Sequence, residues 1–381
     1  MAVMAAAGAP SPLYVVYQAQ WGFSAGMVTV VFAVFVFTLL LALLIVGKVS
    51  DYVGRRPVVM VALLVEAMSM VVFIAADGVG WLLAARAAQG LATGAAIGPL
   101  SAALVDLRPP RRPGLGTLVA STAPPIGNGS GALGAGLLVE YGPAPTTLVF
   151  SLLVATFLTA AAVIPVVPET VARHPGALAS LRPRIAVPRR LRPDFLALVP
   201  FYTVPWALTG FFIALGPSLA VDVLHLSSHL IGGLTVFTVL GAGALGTLAF
   251  QAHNRGRLLI IGALILATGT VLTLTAFILL SAPLFFLGAA IAGLGYGAAF
   301  LGATRTLAHL AHTEERSGLF AAGYVISYLA SGLPPLGAGV AATHLGLQPT
   351  TLGYTAALTA LAVAAALTHH IRTSNRLCLP S

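Results

Sequence analysis

The sequence predicts an all-α membrane protein: twelve transmembrane helices in two parallel six-helix bundles related by a pseudo-two-fold axis, the first helix shortened. Three observations predict it. Only 8% of the 381 residues are charged and 58% are hydrophobic, whereas a soluble domain carries about a quarter charged residues. Apolar runs of about 20 residues recur along the whole chain, each long enough to cross a hydrocarbon core about 30 Å thick. Patterns in the first half return, in order, in the second. Because lipid offers backbone amides no partner, the spans must be helical.

The spans are expected near 1–18, 26–47, 58–76, 80–105, 115–140, 145–166, 195–220, 228–250, 258–280, 283–306, 318–342 and 350–369. Ten or eleven spans is the alternative, and it turns on the first. That segment starts at Met1 without a basic flank and contains Pro10 and Pro12. It has neither the charged start nor the cleavage site of a signal peptide, so the chain is expected to begin inside a longer first helix.

The connections fix the orientation. Lys48, Arg55 and Arg56 follow span 2, and Arg108, Arg111 and Arg112 follow span 4. Arg173, Arg182, Arg184, Arg189, Arg190 and Arg192 lie between the halves. Arg255, Arg257, Arg305, Arg316, Arg372 and Arg376 complete the series. Eighteen of the 19 basic residues thus fall on one side, while the opposite loops carry Asp77, Glu140 and Asp222. Basic connections stay in the cytoplasm, so the even loops and the C-terminus are expected there, in a multi-pass protein of the cytoplasmic membrane.

The repeat has an offset of about 203 residues. Gly90-Leu91-Ala92-Thr93-Gly94 aligns with Gly293-Leu294-Gly295-Tyr296-Gly297, and Leu133-Gly134-Ala135-Gly136 with Leu336-Gly337-Ala338-Gly339. Pro145-Thr146-Thr147-Leu148 returns as Pro349-Thr350-Thr351-Leu352, and Arg112-Pro113-Gly114-Leu115 as Arg316-Ser317-Gly318-Leu319. Spans 4 and 10 run the same way, so the repeat is parallel. Parallel halves enclose a midplane site and open it to each side in turn. The organisation read is 1–166 and 195–369 as the two bundles, 167–194 as a cytoplasmic linker, and 370–381 as a cytoplasmic tail.

Several classes are excluded by placement. A net charge of +9 and a pI near 10.3 suggest nucleic acid, yet the cations sit in short loops rather than on one soluble face. The single cysteine, Cys378, allows no disulfide framework, and the nine histidines form no ligand cluster; neither a metal nor another cofactor is expected. A membrane-embedded transferase needs paired aspartates for a metal-bound diphosphate, and the chain has no such pair. It is not expected to be an enzyme.

The loop Gly47-Lys48-Val49-Ser50-Asp51-Tyr52-Val53-Gly54-Arg55-Arg56 resembles the signature between helices 2 and 3 of the major facilitator superfamily. Gly47, Asp51, Gly54, Arg55 and Arg56 match in place; Tyr52 stands where a basic residue is usual. Arg86, Gln89 and Gly90, with Leu82, resemble the family's R-x-x-Q-G pattern in helix 4. The closest branch is the twelve-helix drug:proton antiporters. The resemblance implies a latch in which Asp51 meets the start of span 11 near Gly318 and Arg55 reaches Asp106. Otherwise the cations only set topology.

Arg86 is the basic residue deep within a span, and its burial costs about 2.5–3.5 kcal/mol on insertion scales. It is expected to face the bundle interior, there to bind an anionic group or influence proton coupling, rather than to snorkel. Glu66 is a candidate proton carrier or a structural hydrogen-bonding group. The glycines of span 5, Gly127, Gly129, Gly131, Gly134 and Gly136, lean towards efflux, although Pro124-Pro125 lie upstream of the family's Gly-Pro position. Family geometry puts Tyr14, Tyr17, Gln18, Arg86, Gln89, Tyr202, Trp206 and Tyr296 around a cavity, with Asn128, Tyr324 and Tyr328 from spans 5 and 11. Aromatic groups with few polar ones suit an amphipathic organic molecule.

The expectation is therefore a monomeric carrier in the lipid bilayer, exporting a small organic molecule in exchange for protons. The competing readings are an uptake carrier for a nutrient or organic anion, and a non-transporting sensor or scaffold.

Overall fold

The computed structural model describes residues 1–107, 115–172, 174–181, 186–226, 228–310, 312 and 315–377. The side chains of 105, 115, 117, 179, 317 and 373–377 are also left out of the description. The expectations for Arg108, Arg111, Arg112, Arg173, Arg182, Arg184, the Arg376 side chain and Cys378 lie outside it.

The described chain is helical and has no strand among its described residues. In order come α1 (Ala2–Gly8), α2 (Pro10–Trp21), α3 (Ala25–Val46), α4 (Ser50–Val53), α5 (Arg55–Ile74), α6 (Val79–Asp106), α7 (Leu115–Tyr141) and α8 (Pro145–Val163). Then follow α9 (Ala177–Ser180), α10 (Arg192–Asp222), α11 (His229–Ala249), α12 (Arg255–Leu279), α13 (Ala282–Leu310), α14 (Arg316–Leu345) and α15 (Leu347–Leu377). Nine helices among the described residues are long and apolar enough to span a membrane: α3, α5, α8 and α10 to α15. The α6 and α7 helices have the length, at 28 and 27 residues, but Arg86, Gln89 and many glycines dilute them.

Three departures from the sequence reading have local causes. The first span is two helices, because Pro10 and Pro12 have no N–H to offer the carbonyls of Ala6 and Gly8; Ala9 between them keeps helical angles. The loop after α3 contains a turn of helix, α4, which Gly54 ends. The last helix runs on to Leu377, since nothing between His369 and Leu377 is glycine or proline.

The contacts divide the chain into two units, Met1–Pro183 with Ser228–Leu234, and Arg184–Ser227 with Thr235–Ser381. Within the first, α6 packs on α3 and on α5, and α5 on α8; Phe73 and Phe150 stack with centroids 4.6 Å apart in its core. Within the second, α13 packs on α12, α12 on α15, and α10 on α14.

The repeat recurs at atomic detail. A Cβ on Gly90 would stand 2.4 Å from the Phe35 carbonyl oxygen, and one on Gly293 would stand 2.4 Å from that of Val239. Each unit thus uses an equivalent glycine to bring two helix backbones together, as small residues do in membrane bundles.

Candidate functional site

Two polar clusters stand out in the first unit. The deeper one is built on α6, where Arg86, Gln89 and Thr93 follow the i, i+3, i+7 stripe of a single helix face. All three are fully buried. Arg86 Nε donates to Tyr14 Oη at 2.7 Å, and its Nη1 donates to Gln89 Oε1 at 2.6 Å and to the Ala7 carbonyl at 3.1 Å. Three rings enclose the guanidinium, with centroids 5.5 Å (Tyr14), 5.0 Å (Phe35) and 5.9 Å (Phe73) from Cζ. Such cation–π contacts and neutral hydrogen bonds offset the cost of burying the charge.

Gln89 Nε2 donates to the Ala6 carbonyl at 2.8 Å. That carbonyl is the one Pro10 leaves without its backbone donor, so the proline in α2 creates the acceptor that seats Gln89. Along the same face, Thr93 Oγ1 donates to Glu66 Oε1 at 2.6 Å. Thr93 lies about 10 Å along the axis from Arg86 at 1.5 Å per residue. Among the described residues, Glu66 and Arg86 form no ion pair, and Glu66 Oε2 and Arg86 Nη2 have no hydrogen-bond partner.

The structure gathers some of the expected residues within the first unit. Tyr14 joins Arg86. Tyr17 instead stacks on Trp21, with centroids 4.7 Å apart, and its hydroxyl has no partner among the described residues. Gln18 Nε2 donates to the Phe23 carbonyl at 3.3 Å. Asn128 of α7 lies against Gly8, next to the Ala7 carbonyl that Arg86 uses. Tyr202, Trp206, Tyr296, Tyr324 and Tyr328 belong to the second unit.

The second cluster is at the start of α5. Arg55 pairs with Asp106 at the end of α6, and Arg56 donates to the Pro165 carbonyl. Gly47 keeps an ordinary helical backbone, whereas Gly54 has φ +97°. Asp51 is exposed in α4. The N-terminus of α5 is held by a residue the sequence reading missed: Glu169 Oε1 accepts from Arg55 N and Oε2 from Arg56 N, both at 3.0 Å. Glu169 also accepts from its neighbours Thr170 and Val171, at 3.0 and 3.3 Å. Tyr52, where a basic residue was the pattern, anchors the following segment: its carbonyl accepts from His174 N at 2.9 Å, and its ring faces Gly176.

Burial pushes the Glu169 carboxyl up; the amides of Arg55, Arg56, Val171 and Thr170 outweigh it and hold the carboxyl below its ordinary value. A depressed folded-state pKa contributes stability that is complete above the unfolded value, about 4.3 for glutamate. It is lost as pH falls through the folded value. Thermal unfolding of wild type and Glu169→Gln between pH 3 and 7 (roughly the range where glutamate titrates) should therefore diverge at neutral pH and converge towards acid. The effect is modest because the group is largely solvated.

In the second unit Arg190 pairs with Glu315, which precedes α14. Six aromatic residues of α10, α13 and α14 meet there, with ring centroids 4.9–6.4 Å apart between neighbours.

The family model described as the Major Facilitator Superfamily matches residues 1–335. The chain belongs to the major facilitator superfamily. Its fold is also that of solved members of this transporter family. A bacterial homologue of the human lysosomal transporter Spinster, inward-facing and occupied, aligns with a TM-score of 0.75 at 14% identity, over 98% of this chain and 94% of that one. Its inward-facing, unoccupied form gives 0.72 at 14% identity, over 97% and 94%. The human organic anion transporter MFSD10 (TETRAN) gives 0.64 at 18%, over 96% and 97%. Membership makes the protein a multi-pass membrane protein of a transporter family whose members are in general carriers rather than enzymes.

Proposed function

We propose that the protein is a secondary active carrier that exports a small organic molecule across the cytoplasmic membrane by alternating access, driven by protons. The observation that carries this reading is the α6 face. Among the described residues the side chain of the fully buried Arg86 bonds to neutral groups only, and further along the face Thr93 donates to the buried Glu66 of α5. Intramembrane ionisable groups of this kind mark proton and substrate pathways. A proton gained or lost at Glu66 changes the charge buried in the same unit as Arg86, and with it the field at the guanidinium. The glycines of α7 support the efflux direction.

Residues 1–166 and 195–369 are read as the two carrier halves, joined by 167–194, with the basic connections and the C-terminus in the cytoplasm. Labelling of single cysteines placed in 47–56 from inside but not outside the cell tests that orientation. The Arg55–Asp106 pair and the Glu169 clamp support a latch in this loop, with Asp51 exposed beside them. An anion-uptake reading would place cargo on Arg86; the full burial of that side chain and its engagement by Tyr14, Gln89 and Ala7 argue against it.

A thermal-shift screen of the purified protein finds ligands, since a compound that binds the folded form raises its melting temperature. The hit is then followed in proteoliposomes with and without a proton gradient. Gradient-driven flux is expected, and Glu66→Gln should abolish the response to the gradient while downhill counterflow persists. Flux indifferent to the gradient removes the proton; no flux of any hit removes the carrier.

A further inference from the structure

The first two turns of α11 lie within the first unit, which takes in Ser228–Leu234, while Thr235 onwards belongs to the second. On α7, Ala132, Gly136 and Glu140 form an i, i+4, i+8 stripe; on α11, His229 and Gly233 form an i, i+4 pair. The two stripes meet at backbone distance. A Cβ on Gly136 would stand 2.8 Å from the His229 carbonyl oxygen, and one on Gly233 would stand 2.4 Å from that of Ala132. One turn beyond, Glu140 Oε2 accepts from His229 N at 2.8 Å and lies 3.3 Å from its Nδ1. The Ser228 hydroxyl also donates to this carboxylate.

The His229 amide is one of the four that a helix start leaves without an internal partner, and a carboxylate there meets the positive end of the helix dipole. Any residue at 229 would supply that amide. A histidine adds a side chain that changes charge between about pH 5 and 8, set against a carboxylate. The pair is open to water, with His229 36% and Glu140 26% exposed, so protons reach it. Its surroundings are poor in charge: 1–47, 142–168 and 230–252 contain no Lys, Arg, His, Asp or Glu. On α6, which also packs on α7, Arg86 is engaged by Tyr14, Gln89 and Ala7. Tyr141 follows Glu140, and Asp77, Asp222 and His225 lie in or beside the connections of the same side. Among the described residues, no ion pair or hydrogen bond joins those four to Glu140 or His229.

We propose that Glu140 and His229 form a proton-strengthened clasp that fastens the start of α11 to α7. When the imidazole is charged, its contact with the carboxylate becomes an ion pair between hydrogen-bonding groups. The helix start opposes a cation there with about half a charge spread over its first turn; the carboxylate, a full charge in contact, outweighs it. The added stability is present while His229 is protonated and is lost as pH rises through the imidazole's titration. The chemistry of the clasp is independent of function. Its role rests on the carrier reading, under which this end faces outwards. Acid there, the condition that drives export by protons, then fastens α11 once the cargo has left.

Hydrogen exchange of the amides of 228–236 reads the clasp in the full-length protein in detergent. It is compared at about pH 5.5 and about pH 8, the two ends of the histidine range, after correction for the intrinsic pH dependence of exchange. Exchange about two- to fivefold slower at the acid end is expected, the worth of charging one partner of a partly exposed pair. His229→Gln should lose this response, and Glu140→Gln should exchange faster at both values. Wild-type exchange that is indifferent to pH, or faster in acid, overturns the proposal whether or not the variants fold. A full response in His229→Gln overturns it too. Acid-slowed exchange in a protein that moves no solute keeps the clasp and removes the carrier; gradient-driven flux with exchange indifferent to pH keeps the carrier and removes the clasp.

Discussion

Arg86→Ala is expected to reduce proton-driven flux to the level of empty liposomes while leaving the protein folded. The two halves of that expectation come from different magnitudes. The substitution removes hydrogen bonds to Tyr14, Gln89 and Ala7, each worth about 0.5–1.5 kcal/mol net. It also relieves the burial of a charge, about 2.5–3.5 kcal/mol on insertion scales. The terms nearly cancel, so stability should change by no more than about 1–2 kcal/mol, and loss of flux is then attributable to the missing charge. Arg86→Lys separates charge from geometry: a lysine keeps the cation but not the fork that reaches Tyr14 and Gln89 together. Flux measured beside thermal unfolding for both variants is the check; an alanine variant that transports normally removes Arg86 from the mechanism.

Gly54→Val is expected to have the largest effect on stability. At φ +97° any side chain strains the backbone, by about 1–3 kcal/mol. A Cβ there would also sit 2.7 Å from Glu169 Oε2. Glu169 would be expelled from the amides of Arg55 and Arg56, with an unmet-donor cost of about 1–3 kcal/mol. A fall in melting temperature and faster proteolysis within 164–176 are the expected readouts. In Gly54→Val with Glu169→Ala the two costs should not add, because the clash has lost its partner. Strict additivity would mean that Gly54 and Glu169 act separately.

Much of the helix pattern was legible because apolar length is a strong signal in lipid, and the glycines at 90 and 293 could be matched because both serve one backbone contact. Arg86, Gln89 and Tyr14 were also within reach, since helical spacing puts Arg86 and Gln89 on one side of α6. The bond from Gln18 to the Phe23 carbonyl could not be foreseen from helix membership alone, because it depends on the turn that follows α2. Glu169 was invisible for another reason: the helix it caps is reached through main-chain amides more than a hundred residues away, and amides leave no mark on composition. A glycine heading a helix next to two cationic residues was the available hint. The break between α1 and α2 was present as Pro10 and Pro12, yet its use was not, because a proline announces a missing donor without saying who will replace it.

The Ala6 carbonyl carries that point further. Its oxygen lacks the main-chain donor that an α-helix would supply from residue 10, because that residue is an imino acid. Whenever α6 slides so that Gln89 withdraws, a water molecule must follow or the oxygen is left bare in a greasy surround. Movement of this helix pair is thereby tied to wetting of the core: the first helix cannot shift against the fourth span while remaining dry.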